Sequence, residues 1–323
     1  MEFRTELFVK SGQNMGLSDN VVTIGSCFAD DIGEKLVQNK FKVLKNPFGT
    51  VYNPVSIHRL LICAIDQVSP TGQGFLERDG SYYHHDFHSE WNSLSTELLK
   101  QNLESQINIV HRSLSECRVL IITYGTAWVY ENRKTKSIVA NCHKVPQQNF
   151  EKFLLTQKRI VESFEGFYGE LKKLNPACRI ILTVSPVRHI KDTLELNSVS
   201  KSILRLTCHT LMETFQDVDY FPAYEIMIDD LRDYRFYKPD MIHPSNQAVD
   251  YIWEKFNDEY FNPATKEFIG RWDKIKNALQ HKPYNSDSES HQKFLTETLE
   301  RLNELKGVVD VTQEIEIVMK QLI

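Results

Sequence analysis

No stretch of 18 consecutive apolar residues occurs anywhere in the 323-residue chain, so the sequence offers no membrane-spanning helix. There is no CxxC pair: the six cysteines (Cys27, Cys63, Cys117, Cys142, Cys178 and Cys208) are scattered. In a chain this long they read as reduced thiols rather than a disulfide framework. The segment Met1–Glu6 carries two acids and lacks the apolar run of a secretory leader, so the expected compartment is the cytoplasm. The formal charge is only −5, too small to suggest a nucleic-acid partner. No zinc spacing such as HExxH and no internal repeat is present, and no cofactor or metal is expected. What remains is an ordinary globular composition, 41% apolar and 25% charged, with enough apolar material for a large core.

Short apolar runs rich in β-branched residues set the framework. Val21–Ile24, Arg118–Tyr124 and Arg179–Val184 each read as a buried parallel strand closed by Gly25, Gly125 and Ser185-Pro186 respectively. Between them lie helical patterns at 28–40, 97–117, 150–174 and 197–215, with a weaker one at 56–66. A short strand is expected at 218–222, and a helix at 224–230. Strands alternating with helices of more than ten residues imply an α/β fold with a central parallel sheet covered on both faces. Residues 69–92, rich in Gly, His, Tyr and Ser, read as an irregular insertion over the sheet edge. The expected division is an α/β domain over 1–260 and a linker with C-terminal helices over 261–323, the helices near 291–306 and 310–323.

In such sheets the chemistry gathers at the carboxyl ends of the strands. Ser26 follows the first strand at a turn that Gly25 permits. Its hydroxyl can attack a carbonyl and its own N–H can donate to the oxyanion. Taken alone, a Gly-Ser after a strand reads first as a plain helix N-cap. Near the end of the domain, Asp240 stands three residues before His243 in a turn. An Asp so placed can accept the imidazole Nδ1–H and leave Nε2 to take a proton from a serine. Surface capping of the following helix is the plain alternative. Cys27, beside Ser26 at a helix N-terminus, is either a thiol nucleophile or a small packing residue. His84 and His85, in the run Tyr82–His88, line a substrate cleft near Trp91 or decorate the surface. Arg188 with His189 meets an anionic or sugar substrate or joins a surface ion pair. Trp128 and Tyr130 flank the cleft or pack at an edge.

Four segments together carry a resemblance: Val22–Ala29 containing Gly25-Ser26-Cys27-Phe28-Ala29, Asn46–Thr50, Tyr124–Trp128, and Asp240–Ser245. They resemble the GSCFA family, which is grouped with the SGNH or GDSL-like hydrolases; the likeness runs from about Thr23 to Phe256 and leaves the C-terminal tail uncovered. The resemblance implies a flavodoxin-like three-layer α/β/α sandwich, with Ser26 as nucleophile, His243 as base and Asp240 orienting that base. It implies acyl transfer: an esterase or deacetylase acting on a small ester, acetylated carbohydrate in particular. The alternatives are an acyltransferase with the same triad and a non-catalytic module binding a carbohydrate or acylated ligand. Two departures stand out. Gly25 occupies the place of the superfamily's usual Asp before the nucleophile. The Gly-x-Asn block is Gly125-Thr126-Ala127 here and lacks the Asn, so Thr126, the Gly49 N–H or the Asn53 side chain is the expected substitute oxyanion donor.

Overall fold

Residues 21–24 bury every side chain, as a central strand covered on both faces must. In the computed structural model, which describes Leu7, residues 14–70 and residues 72–323, this segment is the middle of β1 (Asn20–Gly25). The Met1–Glu6 segment lies outside the described residues. No helix among the described residues is long and apolar enough to cross a membrane.

Five strands make the central sheet: β1, β2 (Lys42–Lys45), β5 (Val119–Tyr124), β9 (Arg179–Val184) and β10 (Val218–Phe221), in the spatial order β2-β1-β5-β9-β10. All four pairings are parallel. Counted among themselves these strands run 2-1-3-4-5, the flavodoxin-like order, with its reversal between β1 and β5. Period-two alternation sends Val22, Ile24, Leu120 and Ile122 into one core and Val21, Val119 and Ile121 into the other. The first core is roofed by α2 (Pro54–Ile65), α3 (Thr96–Glu116), α4 (Gln157–Leu174) and α5 (Leu194–Thr214). The second is covered by α1 (Cys27–Gln38) and by helices from the C-terminal part of the chain. The fold is therefore α/β with three layers.

Two small sheets are not visible in the sequence reading. Residues expected to be irregular hold a hairpin, β3 (Phe75–Arg78) with β4 (Ser81–His84). Its turn residues Asp79 and Gly80 both have positive φ, at 52° and 75°, as a tight hairpin of the favoured hand demands. The start of the expected helix at 150 is instead β8 (Phe150–Leu154), paired antiparallel with β6 (Trp128–Asn132), which also pairs β7 (Ile138–Val139). The helix begins only at Gln157, where the Thr156 hydroxyl caps it by accepting from the Arg159 N–H. The expected helix at 224–230 is a single helical turn, α6 (Ala223–Glu225), continued by a π-helix over Ile226–Leu231.

Beyond α7 (Asn246–Tyr260), the chain forms α8 (Pro263–Gln280), α9 (Glu289–Leu305) and α10 (Thr312–Met319). Phe268, Ile269, Trp272, Leu302 and Val318 bury themselves in the same cluster as Phe28 and Leu36 of α1. Trp272 Nε1 donates to the Gln38 carbonyl at 2.7 Å, and Lys40 pairs with Glu314. The C-terminal helices thus complete the layer that begins with α1.

Candidate active site

At the end of β1 the backbone turns through Gly25 with φ of 138°. A Cβ there would stand 2.1 Å from the Thr123 carbonyl oxygen, so only glycine fits. Three hydrogen bonds stitch this elbow down. The Gly25 N–H donates to Asn46 Oδ1 at 2.9 Å, the Ser26 N–H to the Thr123 carbonyl at 3.1 Å, and the Val51 N–H to the Gly25 carbonyl at 2.9 Å. Asn46 Nδ2 also holds Asp30 Oδ2 at 2.9 Å, and so locks the loop after β2 to the first turn of α1.

Ser26 and Cys27 have opposite surroundings. Ser26 is the N-cap residue of α1 but its side chain accepts no capping bond. It is 0% exposed, and its buried Oγ has no hydrogen-bond partner. Cys27, the first residue of α1, is half-buried. Burial, then the charge of Asp31 and further on that of Asp30, pushes its thiol up to about 11, while Lys201 pulls the other way.

The second half of the site is the turn closed by the bridge between Tyr237 and Pro244. The Lys238 N–H donates to the His243 carbonyl at 2.7 Å, and Met241 takes up the left-handed conformation with φ of 57°. Inside this turn Asp240 Oδ1 accepts from the Ile242 and His243 N–H groups at 2.8 and 3.0 Å, and Oδ2 lies 2.7 Å from His243 Nδ1. The His243 backbone N–H, its ring and then the Ile242 N–H hold the Asp240 carboxyl down to about 2. An ionised carboxylate only accepts, so the ring proton that faces it sits on Nδ1. Burial raises the Asp31 carboxyl, and Lys238 and His243 oppose that rise. Ile242 of this turn and Cys27 of α1 pack against the same core cluster, and the Arg188 N–H ties the Ile242 carbonyl to the segment after β9, so the turn and the start of α1 border one crevice. It lies at the carboxyl ends of the strands, where the strand order reverses.

Two groups complete the crevice. Lys201, from α5, is fully buried and donates to the carbonyls of Gly125 and Ser185 at 2.8 and 2.6 Å, clamping the ends of β5 and β9 together. Burial brings its ammonium down to about 7, with Cys27 acting in the opposite direction. His189 lies edge-on to Tyr52 at 5.3 Å, and its buried Nε2 has no partner. Burial, then Lys201 and His243, holds the imidazole down to about 3. Lys201 escapes sequence reasoning because a lysine in an amphipathic helix reads as solvent-facing; Asn46 has only its place in a Pro- and Gly-punctuated loop as a signal.

The expected oxyanion donors need correction. The Ser26 N–H already serves the Thr123 carbonyl. The Gly49 N–H closes a turn onto the Asn46 carbonyl at 2.8 Å, and the N–H groups of Gly125 and Thr126 both go to the Tyr52 carbonyl, at 2.8 and 3.1 Å. Asn53 is the N-cap of α2, with Oδ1 accepting from the Ser56 N–H and Nδ2 donating to Ser56 Oγ. The Thr126 hydroxyl sits 3.1 Å from Ser200 Oγ and accepts from the Trp128 N–H at 3.1 Å. The first N–H groups of α1, at Cys27 and Phe28, have no helical carbonyl to donate to, and that of Cys27 lies against its own thiol.

The other expected contact residues have structural partners. His84 packs between Phe75 and Phe87, and His85 Nδ1 bonds the Asn141 carbonyl, so both build the hairpin region rather than line a cleft. Arg188 stacks on Tyr237 at 3.8 Å, and its backbone N–H donates to the Ile242 carbonyl at 3.1 Å, so it fastens the Asp240–His243 turn to the segment after β9. Trp128 is half-buried, with Lys152 5.0 Å from its ring. Among the described residues no group of three or more His, Cys, Asp or Glu side chains is arranged to hold a metal ion.

Among solved structures, the chain is similar to a carbohydrate esterase family 3 protein from Talaromyces cellulolyticus, with 8% identity and a TM-score of 0.34 over 78% of this chain and 98% of that one. It is also similar to a Streptococcus pneumonia protein whose structure is named for platelet activating factor, with 10% identity and a TM-score of 0.39 over 75% and 83%. Neither likeness bears on what this chain does. No curated protein matches it. The family model for the GSCFA domain protein C-terminal domain matches residues 272–323, the stretch holding the second half of α8 and all of α9 and α10. The GSCFA family model itself matches residues 20–256, from the start of β1 into α7. The chain belongs to the GSCFA family.

Proposed function

We propose that this protein is an acyl-transferring hydrolase of ester bonds, working from the Ser26-Cys27 elbow with His243 as general base and Asp240 as its orienting carboxylate. One observation carries the reading: Asp240 Oδ2 lies 2.7 Å from His243 Nδ1, in a turn whose Ile242 packs against the same core cluster as Cys27. His243 takes the proton of the elbow nucleophile as that atom attacks the ester carbonyl, and returns it to the leaving alkoxide. The first-turn N–H groups of α1 face the developing oxyanion and add the positive end of the helix dipole. Water then releases the acyl group. A second hydroxyl in place of water gives acyl transfer from the same intermediate. Small esters, acylated carbohydrate among them, suit the expectation drawn from the family resemblance.

A second reading rests on the four occupied N–H groups of Ser26, Gly49, Gly125 and Thr126. One missing oxyanion donor costs roughly 10²–10³ in rate, so a ligand-binding module on the same fold is the competing account. Turnover of a panel of p-nitrophenyl esters separates the two. Hydrolysis that falls about 10²–10⁴-fold in His243→Gln supports the enzyme; hydrolysis indifferent to His243, or none at all, supports the binding module.

A further inference from the structure

We infer that the nucleophile is the thiol of Cys27 and not the hydroxyl of Ser26, so that the covalent intermediate is a thioester. This inference rests on the acyl-transfer reading of the site. It starts from the burial of two adjacent side chains. An attacking atom must come within about 3–3.5 Å of a carbonyl carbon, and a residue with no exposed surface offers no such approach. Ser26 is that residue. Its peptide N–H is bonded to the Thr123 carbonyl, which ties Ser26 to the edge of β5 beneath the crevice. Cys27, one position on, is half-buried and opens the helix.

The charges around the crevice agree. Cys27 feels Asp31, Asp30 and Lys201, while Asp31 feels Lys238 and His243. The packing places them together as well: Cys27 and Ile242, the residue before His243, lie against the same core cluster. The Cys27 N–H, in the first turn of α1, has no carbonyl acceptor in the helix and lies against the Cys27 thiol itself, so it is placed next to the atom that attacks. The attacking residue therefore brings an oxyanion donor with it, which Ser26 cannot do. Tyr52, whose phenol is pushed up by burial and then by Cys27, stands edge-on to His189 at 5.3 Å and adds an aromatic wall near the thiol.

The chemistry balances with an ester and water alone. The Cys27 Sγ–H proton passes to His243 Nε2 as the sulfur bonds to the carbonyl carbon. The C–O bond to the alcohol breaks, and the alkoxide leaves with that proton. Water gives a proton to His243 and its oxygen to the thioester carbon; the C–S bond breaks, and the sulfur recovers the proton. The raised thiol makes this dependence on a base strict, because without one the group stays protonated at neutral pH.

The test is alkylation of the intact protein by iodoacetamide at pH 7.5, with each cysteine followed by peptide mapping. It needs no ester, so it reads the thiol separately from the acyl-transfer reading. Cys63 and Cys142, also half-buried, are internal references. Cys27 is expected to react at least about tenfold faster than either, and to slow about tenfold or more in His243→Gln, as loss of a general base requires. Cys27 reacting no faster than the references, or at a rate unchanged by His243→Gln, overturns the inference. An acyl adduct mapped to Ser26 after exposure to p-nitrophenyl acetate also overturns it while leaving the acyl-transfer reading intact. Fast, His243-dependent alkylation without turnover of any ester keeps the thiol–imidazole pair and removes the esterase.

Discussion

Asp240 Oδ2 lies 2.7 Å from His243 Nδ1 while Asp240 Oδ1 takes two backbone N–H groups of the same turn. One carboxylate therefore fixes the fold of the turn and the tautomer of the base together. Replacing it by an amide separates the two duties. Asp240→Asn can keep Oδ1 as an acceptor but presents an N–H donor or a neutral oxygen to the imidazole. Turnover of an ester substrate is expected to fall about 10²–10⁴-fold, with the melting temperature much less affected. Equal loss of stability and activity would assign Asp240 a purely structural role.

Gly25 is the point where no side chain is admissible. Gly25→Ala would force a Cβ to 2.1 Å from the Thr123 carbonyl at φ of 138°. Destabilisation by about 4 kcal/mol or more is expected, read as a fall in the urea midpoint or as failure to accumulate folded protein. Wild-type stability in this variant would mean that the elbow is held differently.

Lys201 gives a prediction with a defined sign. Its folded ammonium sits near 7 because of burial, whereas an unfolded lysine stays near 10.4. Between those values the unfolded chain holds more protons, so the Lys201 contribution to stability rises with pH across this window and is lost as pH falls toward 7. Lys201→Met is expected to lower stability by about 1–3 kcal/mol through the unpartnered carbonyls of Gly125 and Ser185. The difference in urea-unfolding free energy between wild type and variant should widen from pH 7 to 10. A flat difference would contradict the account.

The main framework is readable in the sequence because its signals are local. The runs Val21–Ile24, Val119–Tyr124 and Arg179–Val184 are apolar, short and closed by turn residues, and all three are strands of the sheet. The Asp240–His243 pair is readable for a similar reason, since both partners lie within one turn. What is missed depends on distant partners. Phe150–Leu154 joins smoothly onto a helical pattern, and only its pairing with Trp128–Asn132 makes it a strand. The oxyanion donors expected at Gly49, Asn53 and Thr126 carry no mark in sequence of the acceptors that already hold them. Which of Ser26 and Cys27 is covered depends on the carbonyl of Thr123, almost a hundred residues away in the chain.

His58 supplies a pH prediction away from the site. It is fully buried, with its ring nitrogens bonded to Ser163 Oγ at 2.9 Å and the Tyr124 hydroxyl at 2.7 Å, and burial holds it down to about 3. The unfolded residue titrates near 6.5, so the unfolded chain binds the extra proton between these values. Stability present above pH 6.5 is expected to decline progressively as pH falls through that window. Urea midpoints measured at pH 7.5 and 5 should differ in the wild type and differ less in His58→Phe. An equal pH dependence in both proteins would refute the assignment.

The central claim is that a covalent acyl intermediate forms on the elbow and depends on His243. Rapid mixing with p-nitrophenyl acetate, an acid quench and mass analysis of the peptide containing residues 25–29 test it directly. The account predicts an acetyl adduct on Cys27 that builds up within the first turnover, decays at the rate of product release, and is absent in His243→Gln. Release of p-nitrophenol with no adduct on this peptide, or an adduct that forms equally well without His243, would contradict it.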